Sequence, residues 1–281
     1  MRVKTFVRTA IAALAALTLW PLGAAALDPL AVYENWSQPL IRRDRWQGGQ
    51  GFGGQEVKRV IAANALSMRY RRQGFTSSNT GNTNSFQFLN LANPAQVNEL
   101  EATFTVTDLT MTACAGNNVG AATRSRVAQV NIAPFNDGTS SGPGDRTGDY
   151  SVGVQAFRDG STPDAVGVLR VLGFVNRCTN AACSTGTSTT IASINLASVT
   201  VGQTFTLRAK WDQPNHQFLV GLDASADLPL SYSASDTAPA INRFANIGVN
   251  HTTANCSAGA VAVDSTTSVG TVKTNSSAVI P

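Results

Sequence analysis

Charge, histidine and glutamate are scarce in this sequence. Charged residues make up 14 % of the 281 residues, only two residues are histidine, and no glutamate follows Glu101. After the first 27 residues there is no apolar run long enough to span a bilayer, and no apolar spacing of the kind that marks long amphipathic helices. These absences exclude a helical bundle and a protein with several membrane-spanning helices, and they leave few residues suited to acid–base chemistry.

The N-terminal segment has the three parts of a secretory signal peptide. Basic residues at its start precede an apolar run over 11–20 and the small residues Ala24-Ala25-Ala26. A membrane anchor is the alternative, but Pro21 and Gly23 interrupt the end of the apolar run. We expect residues 1–26 to be cleaved and the remaining chain to be exported, either to the periplasm or out of the cell.

The basic character of the whole chain comes mostly from this leader. The formal net charge is +4, with 21 basic and 17 acidic residues. The leader holds three of the basic residues, Arg2, Lys4 and Arg8, so 18 basic residues accompany 17 acidic ones in the rest. One basic cluster remains between Arg42 and Arg72, but arginines that alternate along a strand are typical of a solvated sheet face. We expect no nucleic-acid partner, because such partners require a concentrated basic surface.

Alternation of apolar and polar residues with a period of two recurs along the exported part. It is clearest over 205–211 and resumes over 218–222 after Pro214-Asn215, which predicts a hairpin with one apolar face. About a dozen such segments, separated by turn-rich stretches, predict an all-β sandwich of two antiparallel sheets. We expect one domain over 27–265 and a flexible polar tail over 266–281.

The four cysteines all lie in the exported part, an even count for an oxidising compartment. Cys178 and Cys183 share one short polar loop, so a local bridge is the simplest pairing. That pairing leaves Cys114 with Cys256, a long-range bridge worth about 4–5 kcal/mol in the chain-entropy model. Four cysteines allow three connectivities, so the other two stay open.

Three separated segments resemble the concanavalin A-like lectin and glucanase superfamily. The opening of many such domains is similar to Tyr33-Glu34-Asn35-Trp36 followed by Leu40-Ile41 and Trp46. Their late hairpin resembles 205–212 with Phe218 and Val220, and their closing strand resembles Ala260-Val261-Ala262-Val263-Asp264. The resemblance covers most of residues 30–265 and implies a jelly-roll sandwich, an architecture that laminin-G-like modules share.

This superfamily includes glycoside hydrolases, so we looked for a pair of catalytic acids. The branch that looks closest carries Glu-x-Asp-x-x-Glu along one strand. No such run occurs here, and the aspartates nearest the candidate concave strands, Asp149, Asp159 and Asp164, fall at strand ends or in turns. The two histidines, His216 and His251, lie in polar segments, and no nucleophile motif accompanies them. We therefore assign no catalytic residue.

Three aromatic residues are the candidates for stacking on a sugar ring: Trp46, Tyr150 and Tyr232. Trp46 and Tyr232 lie beside glycine-, proline- or serine-rich segments, which favours a surface position. Calcium is the one cofactor that the resemblance suggests, since related sandwiches hold it with loop carboxylates and backbone oxygens. Asp145 and Asp149 are the first candidates for its ligands, and ordinary turn chemistry is the alternative explanation of their segment.

The leading interpretation is an exported, non-catalytic domain that binds carbohydrate or another extracellular ligand. It depends on the resemblance, because one fold hosts many functions. A structural or adhesive surface protein without a small-ligand site is the main alternative, and the weakly charged surface rich in Ser, Thr and Asn supports it. A glycoside hydrolase is the third interpretation.

Overall fold

The fold is built almost entirely from β-strands. The computed structural model describes residues 28–51, 56–75, 82–112, 124–160, 162–183, 187–254 and 261–280. Within these residues the only helical segments are three short 3-10 turns at Pro94–Gln96, Gln213–Asn215 and Ser276–Ala278. None of the helical segments in this described part of the chain is long and apolar enough to cross a membrane. The predicted leader, Cys114 and Cys256 lie outside the described residues.

Eight strands form the first sheet, which we call sheet A. Its strands are β1 (Leu30–Glu34), β3 (Glu56–Ala62), β4 (Ala65–Phe75), β6 (Glu99–Thr112), β11 (Thr204–Asp212), β12 (Gln217–Leu222), β13 (Leu228–Ser231) and β15 (Val261–Asn275). Their order across the sheet is β13-β12-β11-β6-β15-β4-β3, and β1 also pairs with β15. The predicted hairpin is confirmed, since β11 pairs with β12 in antiparallel register with Trp211 opposite Phe218.

Seven strands form the second sheet, sheet B. They are β2 (Trp46–Gly51), β5 (Asn82–Leu91), β7 (Arg124–Asn136), β8 (Asp149–Asp159), β9 (Val168–Cys178), β10 (Ser188–Thr200) and β14 (Ala238–Ala254). Their order is β10-β9-β8-β7-β14-β5-β2, and every neighbouring pair is antiparallel. The predicted all-β architecture of two antiparallel sheets is confirmed.

The hydrophobic core lies between the two sheets. Alternate side chains of the central strands are buried there, as Val130 and Ile132 of β7 and Phe104 and Val106 of β6 illustrate. Side chains at the intervening positions stand on the outer faces, because successive residues of a strand point to opposite sides. The outer face of sheet A carries paired charges, among them Glu101, whose carboxylate lies 3.1 Å from Arg208 Nη1 and 2.8 Å from Lys273 Nζ.

The structure corrects the prediction of a flexible tail from residue 266. Residues 266–275 are the second half of β15, which lies between β4 and β6 and pairs with both. Val269 and Val272 are fully buried in the core, and Thr274 donates a hydrogen bond to the Glu99 carbonyl. Serine, threonine and valine suit a strand as well as a solvated tail, so the polar composition of this segment does not distinguish the two.

Candidate binding groove

The outer face of sheet B forms a groove with a volume of about 550 Å³. It crosses the central strands β7, β8 and β14, is bounded on one side by β5, and extends over β9 to β10 on the other. In β7, Gln129 and Asn131 line the groove, whereas the alternating residues Val130 and Ile132 belong to the core. The strand period of two therefore places a row of polar side chains on one side of the sheet and the core on the other.

Carboxamide side chains occupy the centre of the groove. Gln129 lies opposite Gln155 of β8, and Asn131 Nδ2 donates a hydrogen bond of 2.9 Å to Asn246 Oδ1 of β14. Gln129 is only 4 % exposed, yet its Nε2 has no hydrogen-bond partner among the described residues, and neither has Oδ1 of Asn250. A buried polar atom without a partner costs about 1–3 kcal/mol. A ligand that supplies the missing partner would recover that free energy.

Phenyl rings flank the carboxamides. Phe88, Phe174 and Phe244 all line the groove and are half-buried. Two glycines make room for two of these rings. A Cβ atom at Gly153 would lie 2.5 Å from Phe174 Cζ, and one at Gly248 would lie 2.6 Å from Phe88 Cδ1. Because no side chain stands at these two positions, the rings lie across the sheet and close to its backbone.

Two arginines stand at one end of the groove. Arg124 is held by Asp159 through two hydrogen bonds of 2.6 and 3.0 Å, and its guanidinium lies 4.9 Å from the centre of the Phe157 ring. Arg126 donates one hydrogen bond of 3.3 Å to Thr252 Oγ1 and lies in no salt bridge with a described residue. Burial, and then the nearby charge of Arg124, lower the pKa of Arg126 to about 10. The end of the groove therefore holds more positive than negative charge.

The opposite end of the groove is shaped by a disulfide. The predicted bridge between Cys178 and Cys183 is confirmed, and Cys183 lines both the main groove and a smaller cavity of about 160 Å³ beside it. Arg146 borders this smaller cavity, where its backbone N–H and side chain donate to the carbonyls of Ala181 and Ala182. The loop closed by the bridge thus positions a third arginine.

The structure corrects the prediction that Trp46 and Tyr232 are surface side chains. Trp46 is 2 % exposed, packs between Tyr33 and Trp36, and donates from Nε1 to Glu34. Tyr232 is also buried, where its hydroxyl accepts from Trp211 and donates to Asp236.

Tyr150, the third candidate, is buried as well and stacks on Phe135 at a centroid distance of 4.8 Å. These aromatic rings therefore stabilise the sandwich and offer no open face to a sugar. The residues that do line the groove were missed because outward polar residues in a strand are the ordinary case.

The carboxylates of the two predicted calcium ligands already accept hydrogen bonds from the protein. Asp145 accepts from Ser141 and Thr147, and these contacts lower the pKa of its carboxyl group. Asp149 accepts from Asn136 Nδ2 and from the backbone N–H groups of residues 241 and 242. The described residues contain no group of three or more metal-binding side chains. The calcium site stays a prediction.

Two serine–histidine contacts involve His251, and both lie inside the sandwich. His251 is stacked on Tyr70, its Nδ1 is 2.6 Å from Ser125 Oγ, and its Nε2 is 3.2 Å from Ser265 Oγ. Burial lowers the pKa of His251 to about 3. Both ring nitrogens are occupied and the ring is 1 % exposed, so a substrate has no access to it.

A larger cavity, of about 1060 Å³, opens between the sheets at the β2 and β3 edges. Leu40, Ile61 and Leu89 line it together with the polar side chains of Arg43, Gln47 and Arg59. We take the sheet B groove as the candidate site, because it combines apolar walls with converging polar groups that lack a hydrogen-bond partner among the described residues. Unpartnered carboxamide atoms supply those groups in the groove.

No family model matches this sequence, and no curated protein matches it either. The structure is similar to a laminarinase from Flavobacterium sp. UMI-01, with 13 % identity, a TM-score of 0.46 and coverage of 89 % of this chain and 99 % of that one. It is also similar to an alginate lyase from Klebsiella pneumoniae, with 12 % identity, a TM-score of 0.39 and coverage of 77 % and 84 %. Lectin II from Ulex europaeus follows with 13 % identity, a TM-score of 0.32 and coverage of 81 % and 96 %.

At such identities the likeness concerns the fold alone. The two facing antiparallel sheets described above have the sandwich architecture that the sequence predicted.

Proposed function

We propose that the exported chain binds an extended carbohydrate in the groove of sheet B. One observation carries this proposal. Gln129 is buried and lines the groove, yet its Nε2 has no hydrogen-bond partner among the described residues. Sugar hydroxyls both accept and donate hydrogen bonds, so they match carboxamides, which present both an acceptor oxygen and a donor nitrogen.

The walls of the groove support the same ligand class. Phe88, Phe174 and Phe244 offer apolar faces on which the C–H side of a sugar ring can pack. Aromatic faces beside a small number of placed polar groups are the usual composition of a small-molecule site. By their names, the lectin, the laminarinase and the alginate lyase reported above bind or act on carbohydrates. Their similarity to this chain concerns the fold alone, so the proposal does not rest on them.

Binding is favoured over hydrolysis by the chemistry of the central side chains. Hydrolysis of a glycosidic bond uses two carboxyl groups about 5–10 Å apart, one as an acid and one as a base or nucleophile. Gln129, Gln155 and Asn131 hold the centre of the groove, and carboxamides perform neither role. Asp159, at one end, is engaged by two hydrogen bonds from Arg124.

The export of the chain is part of the same proposal. The disulfide between Cys178 and Cys183 forms part of the groove wall, and such bridges persist in oxidising compartments. A site that needs this bridge is suited to carbohydrate outside the cytoplasm.

Affinity electrophoresis of the purified chain in gels containing soluble polysaccharides tests the proposal. We expect retardation by at least one polysaccharide, and about a tenfold loss of affinity in Gln129→Leu. Gln203→Leu, a control in an exposed turn, should bind like the wild type. Release of reducing ends, measured in the same panel, would favour the hydrolase instead. Absence of retardation across the panel would leave the structural or adhesive alternative.

A further inference from the structure

The positive charge at the Arg124 end of the groove is only partly neutralised. Two guanidinium groups, Arg124 and Arg126, stand two residues apart on the same face of β7, about 7 Å apart along the strand. Asp159 accepts two hydrogen bonds from Arg124 and makes no salt bridge with Arg126. Removing a cation from water without an ionic partner is costly, so Arg126 occupies an unfavourable position in the ligand-free protein.

Several other outward-facing charges on the sandwich lie in salt bridges. On sheet A, Arg208 contacts both Glu101 and Asp227, and Lys210 lies 3.2 Å from Glu99. On the edge of sheet B, Arg170 contacts Asp164. Arg126 differs from these residues because its one hydrogen bond goes to an uncharged hydroxyl, Thr252 Oγ1.

An arginine donor also lies beside the opposite end of the groove. Arg146 Nε has no hydrogen-bond partner among the described residues, and Oδ2 of Asp149 is 3.9 Å away. Asp149 is itself committed to Asn136 and to two backbone N–H groups. Together with Gln129 Nε2, the groove therefore offers donors at its centre and at both ends.

We propose that the groove selects acidic polysaccharides, with a carboxylate of the sugar chain paired to Arg126. This inference rests on the proposed function and adds the charge of the ligand to it. An oxyanion can accept from a guanidinium through two parallel hydrogen bonds, a geometry that a neutral hydroxyl cannot provide. Residues 126 and 133 of β7, one near each end of the groove, are about 23 Å apart along the strand. A polysaccharide must therefore be several sugar units long to reach both ends.

Matched pairs of polysaccharides test this inference. Polygalacturonate, hyaluronan and glucuronoxylan are each compared with a carboxyl-reduced form, in which the same backbone carries a neutral alcohol. We expect at least one acidic polymer to bind about tenfold more tightly than its reduced form at low salt, and this preference to shrink as salt screens the charges.

Single-residue variants test whether Arg126 is the source of the preference for acidic polymers. Arg126→Gln should abolish most of it, and Arg126→Lys should retain part of it. Lys58→Gln, which removes an exposed charge from sheet A, should leave the preference unchanged. Thermal unfolding of each variant separates loss of recognition from loss of fold.

The outcomes distinguish this inference from the proposed function. Equal affinity for acidic and reduced polymers, with no effect of Arg126→Gln, would overturn the acidic preference and leave carbohydrate binding in place. If neither the acidic nor the reduced form of any polymer binds, both the acidic preference and the proposed carbohydrate binding are overturned. Tighter binding of single-stranded DNA than of any polysaccharide would also overturn these two proposals.

Discussion

Gln129 of β7 lies directly opposite Gln155 of β8, and each side chain is 4 % exposed on the outer face of the sandwich. Two carboxamides in adjacent strands are placed to bond to each other or to a shared ligand. The Nε2 atom of Gln129 has no hydrogen-bond partner among the described residues. An unsatisfied donor therefore lies in the middle of the groove.

Gln129→Leu should stabilise the free protein while it weakens binding. Leucine is close to glutamine in volume and carries no donor to leave unpaired, so we expect the free energy of unfolding to rise by up to about 1 kcal/mol. Urea unfolding followed by tryptophan fluorescence measures the change. Gln217→Leu is the control, since Gln217 donates to Asp212 and its loss should destabilise the protein. A destabilised Gln129→Leu would show that this side chain is satisfied in the free protein.

Gly153→Ala should damage both the fold and the groove. The added methyl group would lie 2.2 Å from Asn131 Oδ1 and 2.5 Å from Phe174 Cζ, so both side chains must move. We expect a loss of about 1–3 kcal/mol in stability and a marked loss of affinity for any groove ligand.

Gly173→Ala is the matched control for that substitution. Gly173 faces the core, where its Cβ would lie 2.6 Å from Val220 Cγ2, so stability should fall by a similar amount. The folded fraction should bind normally, because the groove side of β9 is unchanged. Equal losses of affinity in the two variants would mean that binding follows stability and not groove shape.

Acid should destabilise the protein through His251. Its pKa is about 3 in the folded protein and 6.5 in the unfolded chain, so below pH 6.5 the unfolded chain takes up a proton that the folded protein refuses. Stability from this residue is fully present above about pH 6.5 and is lost at about 1.4 kcal/mol for each pH unit as the pH falls toward 3.

Urea unfolding between pH 7 and pH 4 measures this slope. His251→Gln should be less stable at pH 7 and should lose less stability on acidification than the wild type. If the His251 variant shows the same slope as the wild type, carboxylates and not this imidazole govern the acid response.

The Cys178–Cys183 bridge should contribute to both stability and binding. It closes a short loop, with a sequence separation of 5, for which the chain-entropy model gives about 2 kcal/mol. The double variant Cys178→Ala/Cys183→Ala should lose about that amount and bind groove ligands more weakly, because the loop carbonyls no longer hold Arg146. Ala181→Ser, in the same loop with the bridge intact, should behave like the wild type. Normal affinity in the double variant would remove the loop from the site.

The sequence predicts the local features of the fold well. The alternation over 205–222 gives the β11–β12 hairpin, and the spacing of Cys178 and Cys183 gives their bridge. The groove is harder to predict, because its residues come from β5, β7, β8, β9, β10 and β14, which meet only in the folded sheet. Gln129 and Asn131 alternate with core valine and isoleucine, a pattern that equally describes a solvated strand.

The position of Trp46 was predicted wrongly because the prediction used only its neighbours in the sequence. Glycines and an arginine surround it in sequence, which indicates a loop, yet the chain before it folds back. Tyr33 and Trp36 enclose its ring, while Glu34 accepts from its indole N–H. Burial of this kind depends on contacts between segments that no local pattern records. The same holds for β15, whose composition does not reveal its two neighbouring strands.

The central place of β15 in sheet A sets an order on folding. Strands β4 and β6 flank β15, so they stay unpaired on that side until residues 261–275 arrive. Contacts between segments this far apart in the chain form slowly. A chain released progressively from a ribosome must keep two long strand edges exposed until residues 261–275 are available, and exposed edges invite aggregation. We therefore expect this protein to depend on chaperones while it folds.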